Sequence, residues 1–128
     1  MGKRHSHAEF LFSATQFGQA LSGGLIYENL LTGDMIESLD IDSLSLSGDL
    51  ATFTGDCFDF EEPCAFTVTV QGNKSVNSFA ITGTGFTPEA GNLTRGEIVI
   101  SSKTIKFLSE DRKHLIVNGT AKGHGSAK

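Results

Sequence analysis

The segment 50–71, LATFTGDCFDFEEPCAFTVTVQ, contains two runs of alternating apolar and polar residues on either side of two cysteines. Alternation with a period of two is the pattern of a β-strand that buries one face. An antiparallel pairing of Cys57 with Cys64 puts Ala51, Phe53, Phe66, Val68 and Val70 on one face and the threonines on the other. This register pairs Gly55 with Phe66, Phe53 with Val68, Ala51 with Val70, Thr54 with Thr67, and Thr52 with Thr69. The sequence therefore predicts a β-hairpin in which Gly55 leaves room for the ring of Phe66.

The two cysteines are the only ones in the chain. Cysteines that face each other on neighbouring strands can reach disulfide geometry, and closing so short a loop is expected to stabilise the fold by about 2.5 kcal/mol. A Cys57–Cys64 disulfide favours an exported or extracellular protein, because disulfides persist in oxidising compartments. The alternative is a pair of reduced, buried thiols in a cytosolic domain.

The rest of the chain has the same period-two pattern, interrupted by turn residues every eight to fourteen positions. This spacing is typical of an all-β fold, and we expect an antiparallel β-sandwich or small β-barrel of about 8–9 strands. Leu39 and Ile41 alternate with Asp40 and Asp42, which predicts a strand with the two aspartates on its outward face. The phase of the alternation then slips near Asp42-Ser43, which predicts a bulge or break. Only 15–21 is compatible with a short helix. Strands are expected from about Leu25 and near 8–15, 50–57, 64–71, 78–84, 95–101, 103–108 and 114–120.

The length of 128 residues suits one domain, which we place at 8–120. The segment 1–7 begins with basic residues but no apolar stretch follows, so it is interpreted as a disordered or expression-derived tail and not as a signal peptide. The Gly-rich segment 121–128 is expected to be a flexible tail. A net charge of −5 argues against nucleic acid as a partner, and no apolar run reaches the length of a membrane span.

One stretch of the chain resembles a known family. ATFTGDCFDFEEPCAFTVTV, followed by NSFAITGTG and GNLTRGEIVI, is similar in order and spacing to the post-COAP domain family over about residues 24–100. The resemblance implies a β-rich module of secreted or surface-associated prokaryotic proteins, and it carries no catalytic residues to transfer. The family usually has an acidic, Gly- and Pro-rich loop after the TVTV strand, whereas 72–77 here contains no carboxylate.

The tip of the cysteine hairpin, expected as a loop over 58–63, is the strongest candidate for a site. Four carboxylates crowd it and repel one another unless they are solvated or bridged by a cation such as calcium. They are Asp56, Asp59, Glu61 and Glu62. The alternative is a solvated acidic loop. Phe58 and Phe60 in the same loop either form a contact surface for a partner or fold back onto the core.

No nucleophile elbow, dinucleotide fingerprint or other catalytic set is present in the sequence, so we expect no enzyme and no cofactor, with calcium as the one ion to test. The predicted function is a non-catalytic binding or structural module of an exported or surface-associated protein, with an unknown protein or surface ligand as partner. One alternative is a barrel that binds a small hydrophobic ligand, since ten Phe residues can line a cavity as well as fill a core. A calcium-binding β-domain and a hydrolase with a dispersed site are further alternatives. The oligomeric state is open, because it depends on how the sheet edges are covered.

Overall fold

The computed structural model describes residues 8–17, 20–73, 75–84, 88–108 and 113–127. Every regular element in this part of the chain is a β-strand, which confirms the predicted all-β fold. The strands are β1 (Ala8–Phe17), β2 (Ala20–Asn29), β3 (Met35–Ser38), β4 (Ser43–Ser47), β5 (Leu50–Asp59), β6 (Glu62–Gly72), β7 (Asn77–Thr84), β8 (Glu89–Leu108) and β9 (Lys113–Ala127). The segment 1–7, for which a tail was predicted, lies outside the described residues.

The nine strands form one antiparallel sheet in the order β3-β2-β1-β9-β8-β7-β6-β5-β4. A further pairing joins β3 to β5, so the sheet curls into a nearly closed barrel. One edge of β5 is shared: Phe58 and Asp59 pair with β3, and Leu50–Thr54 pair with β4. The chain leaves strand conformation over 39–42, between β3 and β4, which confirms the break expected near Asp42-Ser43.

The hairpin β5–β6 has the predicted register along its whole length, from Leu50 opposite Gln71 to Cys57 opposite Cys64. The two cysteines are 4.9 Å apart at Cα, with their sulfur atoms at disulfide-bonding distance. A Cβ added to Gly55 would lie 3.0 Å from ring atoms of Phe66. The close approach of this ring, together with the Asp40 backbone oxygen at the same distance, therefore favours glycine at position 55.

The barrel interior is packed with aromatic side chains. Phe10 and Phe79 stack with ring centroids 4.2 Å apart, and Phe12 lies 5.2 Å from Phe53. Tyr27 stacks on Phe79 from β2. These side chains are almost fully buried and are contributed by alternate residues of their strands, as the period-two pattern requires. Phe10, Phe12, Phe53, Phe66 and Phe79 thus act as core residues, whereas Phe17, Phe58 and Phe60 are exposed.

The C-terminal segment differs from the prediction. Residues 121–127, expected to be flexible, continue β9 and pair with both β1 and β8. Gly123 is buried, and a Cβ at this position would lie 2.9 Å from the ring of Phe12 and from the side chain of Ile98. The glycine that suggested flexibility is needed for close packing between strands.

Two further strand boundaries differ from the sequence interpretation. Within the helix-compatible stretch 15–21, the described residues belong to β1 and β2, because they pair with each other and with β9. The strands expected at 95–101 and 103–108 form one strand, β8, which pairs with β9 from Arg95 to Leu108. Cross-strand pairing, which is not visible in local sequence, decides both cases.

Candidate functional site

A row of cross-strand partners crosses the outer surface of four neighbouring strands. Leu11 in β1 pairs with Ile26 in β2, Ile26 pairs with Glu37 in β3, and Glu37 pairs with Phe58 in β5. Their neighbours along each strand are buried, apart from the half-buried Asp59, so the alternation of a strand points all four side chains outward. Leu11 is 55% exposed, Ile26 47% and Phe58 56%. The outer surface therefore has a line of large apolar side chains where a sheet usually presents polar ones.

A cleft of about 640 Å³ opens along this row, where β2, β3 and β5 meet. Leu39 stands at its rim with 96% of its side chain exposed, although its apolar character and the alternation predicted a place on the buried face. The structure buries Ser38 instead, whose Oγ donates a hydrogen bond of 2.7 Å to the backbone oxygen of Asp40. The lining residues are Leu25, Ile26, Glu37, Ser38, Leu39, Asp40, Asp56 and Phe58. We call this set the outer cleft.

The charges around the outer cleft have one sign. Residues 8–73 contain eleven Asp and Glu residues and no Lys or Arg. Three of these carboxylates line the outer cleft: Glu37, Asp40 and Asp56, all exposed. Exposed apolar side chains ringed by carboxylates make a surface that is complementary to an apolar and positively charged partner.

The opposite charge is found on the last two strands. After Glu97, β8 contains no acidic residue, and β9 contains none along its whole length. These strands carry four lysines, at positions 103, 106, 113 and 122. The chain is therefore divided into an acidic part, β1 to β6, and a basic part, β8 and β9.

The hairpin tip is shorter than expected. The strands continue to Asp59 and resume at Glu62, so the predicted loop 58–63 is a two-residue turn. Both turn residues have positive φ, 50° for Phe60 and 76° for Glu61, which is the backbone of a type I′ turn. Phe60 is 71% exposed and does not fold back onto the core. Both candidate contact aromatics, Phe58 and Phe60, are thus on the surface.

The four tip carboxylates do not all lie on one side of the hairpin. Asp56 is exposed in the outer cleft, whereas Asp59 follows after three residues and so lies on the opposite face of β5. Glu62 pairs with Asp59, and Glu61 is in the turn. Among the described residues, no group of three or more His, Cys, Asp or Glu side chains is arranged to hold a metal ion.

Asp59 has a structural partner of its own. Its Oδ1 accepts a hydrogen bond of 3.0 Å from the backbone N–H of Met35, which ties the end of β5 to the start of β3. Burial raises the pKa of Asp59 above its ordinary value, and a hydrogen bond with the Asp34 carboxyl raises it further. The hydrogen bond from the Met35 N–H lowers the pKa and so offsets part of this rise. Two carboxylates thus approach each other at the point where the barrel closes.

A buried polar pair lies at the same end of the barrel. Tyr27 and Asn29 are both fully buried on the inner face of β2. Asn29 Oδ1 accepts hydrogen bonds from the N–H groups of Leu31 and Thr32, but within the described structure Asn29 Nδ2 and Tyr27 Oη have no hydrogen-bond partner. Burial, followed by the negative charge of Glu89, raises the pKa of the Tyr27 phenol well above its usual value. The Tyr27 hydroxyl is therefore a buried group that makes no hydrogen bond of regular geometry, although the neighbouring Asn29 side chain acts against the rise of its pKa.

No family model, curated protein or solved structure matches this chain. The resemblance to the post-COAP domain family thus stays a prediction from the sequence. The described residues include no helix that is long and apolar enough to cross a membrane. Of the residues singled out in the sequence, Asp56 and Phe58 meet in the outer cleft, and its other lining residues come from β2, β3 and the segment after β3.

Proposed function

We propose that this chain is a non-catalytic binding module of an exported or surface-associated protein, and that the outer cleft is its binding site for a polypeptide partner. The observation that carries the proposal is the exposure of Leu39 and Phe58, 96% and 56%, at the rim of one cleft. When a partner covers large apolar side chains in such a position, their removal from water favours binding. The Cys57–Cys64 pair supports an oxidising compartment.

The chemistry of the partner follows from the lining of the cleft. Ile26, Leu39 and Phe58 offer apolar contact, and the surrounding carboxylates favour positive charge. An extended segment that alternates apolar and basic residues offers both kinds of side chain along one short length of strand, so that apolar side chains can enter the cleft while long basic side chains reach the carboxylates at its edge. The binding energy is expected to come mainly from Phe58 and Leu39, since a few well-placed apolar residues dominate most interfaces.

The packed interior supports this site over an internal ligand pocket. Phe10, Phe79 and Tyr27 stack on one another in the middle of the barrel, where an apolar ligand would have to sit. Phe53 and Phe66 close the same region from the hairpin with an edge-to-face contact. A partner bound on the outer surface needs no rearrangement of these rings.

A labelled synthetic peptide of alternating lysine and valine tests the proposal by fluorescence anisotropy. We expect saturable binding that weakens with added salt, and a matched peptide of alternating glutamate and valine should not bind. Leu39→Ser and Phe58→Ser should each weaken the binding by about tenfold. Val76→Ser is the matched control, because Val76 is 40% exposed but lies in the β6–β7 loop outside the cleft. Equal binding by the two cleft variants and the parent would overturn the proposal.

A further inference from the structure

The far end of β8 and β9 forms a ribbon beyond the rest of the sheet. β1 ends at Phe17, which pairs with Asn118 of β9. The pairing of β7 with β8 begins at Glu89 and ends at Asn92. Residues 103–108 pair with 113–118, and β1 reaches this pair of segments only at Asn118, through Phe17. Among the described residues no other strand pairs with them. We call these two segments the β8–β9 ribbon. A two-stranded ribbon is at best marginally stable in water unless something packs against it.

The charge of the ribbon is the complement of the outer cleft. Lys103, Lys106 and Lys113 belong to the ribbon strands, which contain no acidic residue. The ribbon strands also contain large apolar residues beside these lysines, Ile105 and Phe107 in β8 and Leu115, Ile116 and Val117 in β9. A basic and apolar extended segment of the kind that the outer cleft would accept is thus part of this same chain.

The ribbon cannot fill the cleft of its own molecule. In β1 the outer row lies at Leu11, which is about 20 Å along the strand before Phe17 at 3.3 Å per residue. The ribbon continues the sheet past Phe17 and therefore leads away from that row. A ribbon that reaches the cleft must come from another molecule.

We propose that the outer cleft of one molecule holds the β8–β9 ribbon of a second copy of this chain. The inference rests on the proposed function, because it names the partner for the same cleft. Cleft and ribbon are different surfaces, so the contact either is exchanged reciprocally in a closed dimer or repeats head to tail in a larger assembly. In both cases each molecule supplies one acidic cleft and one ribbon whose strands carry lysines but no acidic residue.

Sedimentation velocity of the full chain over a range of concentrations and salt provides the first test. We expect association at low ionic strength and a fall in the association constant of about tenfold or more at high ionic strength, since the contact pairs opposite charges. A parent protein that stays monomeric at low salt and high concentration overturns the inference.

Charge exchange provides the sharper test. Lys103→Glu with Lys106→Glu makes the ribbon acidic, and Glu37→Lys with Asp40→Lys makes the cleft basic at two exposed positions. Each double variant should be monomeric alone, and an equimolar mixture should associate again, because each cleft then meets a ribbon of opposite charge. Thermal melting of each variant checks that it is folded. A mixture of folded variants that does not associate rejects the contact.

The two proposals fail differently. If the lysine–valine peptide binds the cleft while the parent protein is monomeric, the binding site stands and the second copy is not its occupant. If the protein associates but Leu39→Ser and Phe58→Ser leave both association and peptide binding unchanged, the outer cleft is not the site and both proposals are overturned.

Discussion

Phe58 lies directly opposite Glu37 at the place where β3 closes the sheet onto β5. An exposed aromatic ring and a carboxylate are thus neighbours on the outer surface, and β3 connects them to the apolar side chain of Ile26 on β2. The same closure that buries the core residue Ile36 brings these outer residues together. The cleft is therefore a consequence of how the barrel closes, and it disappears if the short β3–β5 pairing is lost.

The Cys57–Cys64 pair should contribute measurably to stability. Reduction, or Cys57→Ser combined with Cys64→Ser, is expected to lower the free energy of unfolding by about 2–3 kcal/mol, because the disulfide restricts the unfolded chain. Urea unfolding with and without a reducing agent measures the difference. The double serine variant serves as the control, since its midpoint should not respond to the reducing agent. Equal midpoints for the oxidised and reduced parent would show that the pair adds nothing.

A substitution at Gly123 tests whether the C-terminal part of β9 packs against β1 and β8. Gly123→Ala should destabilise the protein by about 1–3 kcal/mol, because its Cβ would lie 2.9 Å from Phe12, Ile98 and the Glu97 backbone oxygen. Lys122→Ala is the matched control on the exposed face of the same strand and should have little effect. Thermal unfolding compares the two. If both variants melt like the parent, residues 121–127 are not packed against β1 and β8.

The hairpin β5–β6 could be predicted from the sequence because its information is local. Alternation on both strands and the two cysteines favour one register, which puts Ala51, Phe53, Phe66, Val68 and Val70 on the buried face, and the structure has that register. Gly55 was interpreted correctly for the same reason, since its cross-strand partner Phe66 follows from the register.

The outer cleft could not be predicted from the sequence because it depends on distant pairings. Ile26, Glu37 and Phe58 are adjacent only because β2 pairs with β3 and β3 with β5. Leu39 was expected in an alternating strand, but β3 ends one residue earlier at Ser38 and leaves Leu39 exposed. Gly123 was misread for a related reason, since a buried glycine and a flexible one have the same local sequence.

Asp59 should make stability depend on pH. Its pKa is raised in the folded state, so the folded protein binds the proton more tightly than the unfolded chain does. The contribution of this proton to the free energy of unfolding is fully present below the ordinary pKa of an aspartate. It is lost as the pH rises through the raised pKa of Asp59. Asp59→Asn keeps an oxygen for the Met35 N–H and removes the repulsion with Asp34. The variant should therefore melt higher than the parent at neutral pH, and the gap should narrow in acid.

The same variant examines the predicted calcium site, for which Asp59 is one of four candidate ligands. The melting temperature of the parent is measured in excess EDTA and in millimolar calcium, since an ion that binds the folded state raises it. A rise in the parent that Asp59→Asn abolishes would support calcium at the tip. A shift that Asp59→Asn leaves intact, or no shift at all, would reject Asp59 as a ligand.

Substitutions at Tyr27 measure how much its buried hydroxyl changes the free energy of unfolding. Tyr27→Phe removes Oη but keeps the ring on Phe79, so we expect unchanged stability or a gain of about 1 kcal/mol. Tyr27→Leu also removes the ring contact and should destabilise the protein by about 1–3 kcal/mol. Chemical unfolding separates the two effects. A loss of stability in Tyr27→Phe as large as in Tyr27→Leu would mean that the hydroxyl has a partner in solution.

The turn at the hairpin tip combines strain with exposure. Phe60 and Glu61 both have positive φ, which costs about 1–2 kcal/mol for each residue with a side chain. Phe60→Asn with Glu61→Gly supplies the residues that a type I′ turn prefers and should raise the free energy of unfolding by about 1–2 kcal/mol. Thermal unfolding measures this gain, and Glu61→Gly alone should give part of it. An unchanged melting temperature in both variants would show that the turn is not strained.

The turn variant also tests a role of Phe60 in binding. Phe60 and Phe58 are both exposed, so the double variant should be tested for binding of the lysine–valine peptide. Weaker binding by a more stable protein would mean that the strained residue is kept for contact with the partner.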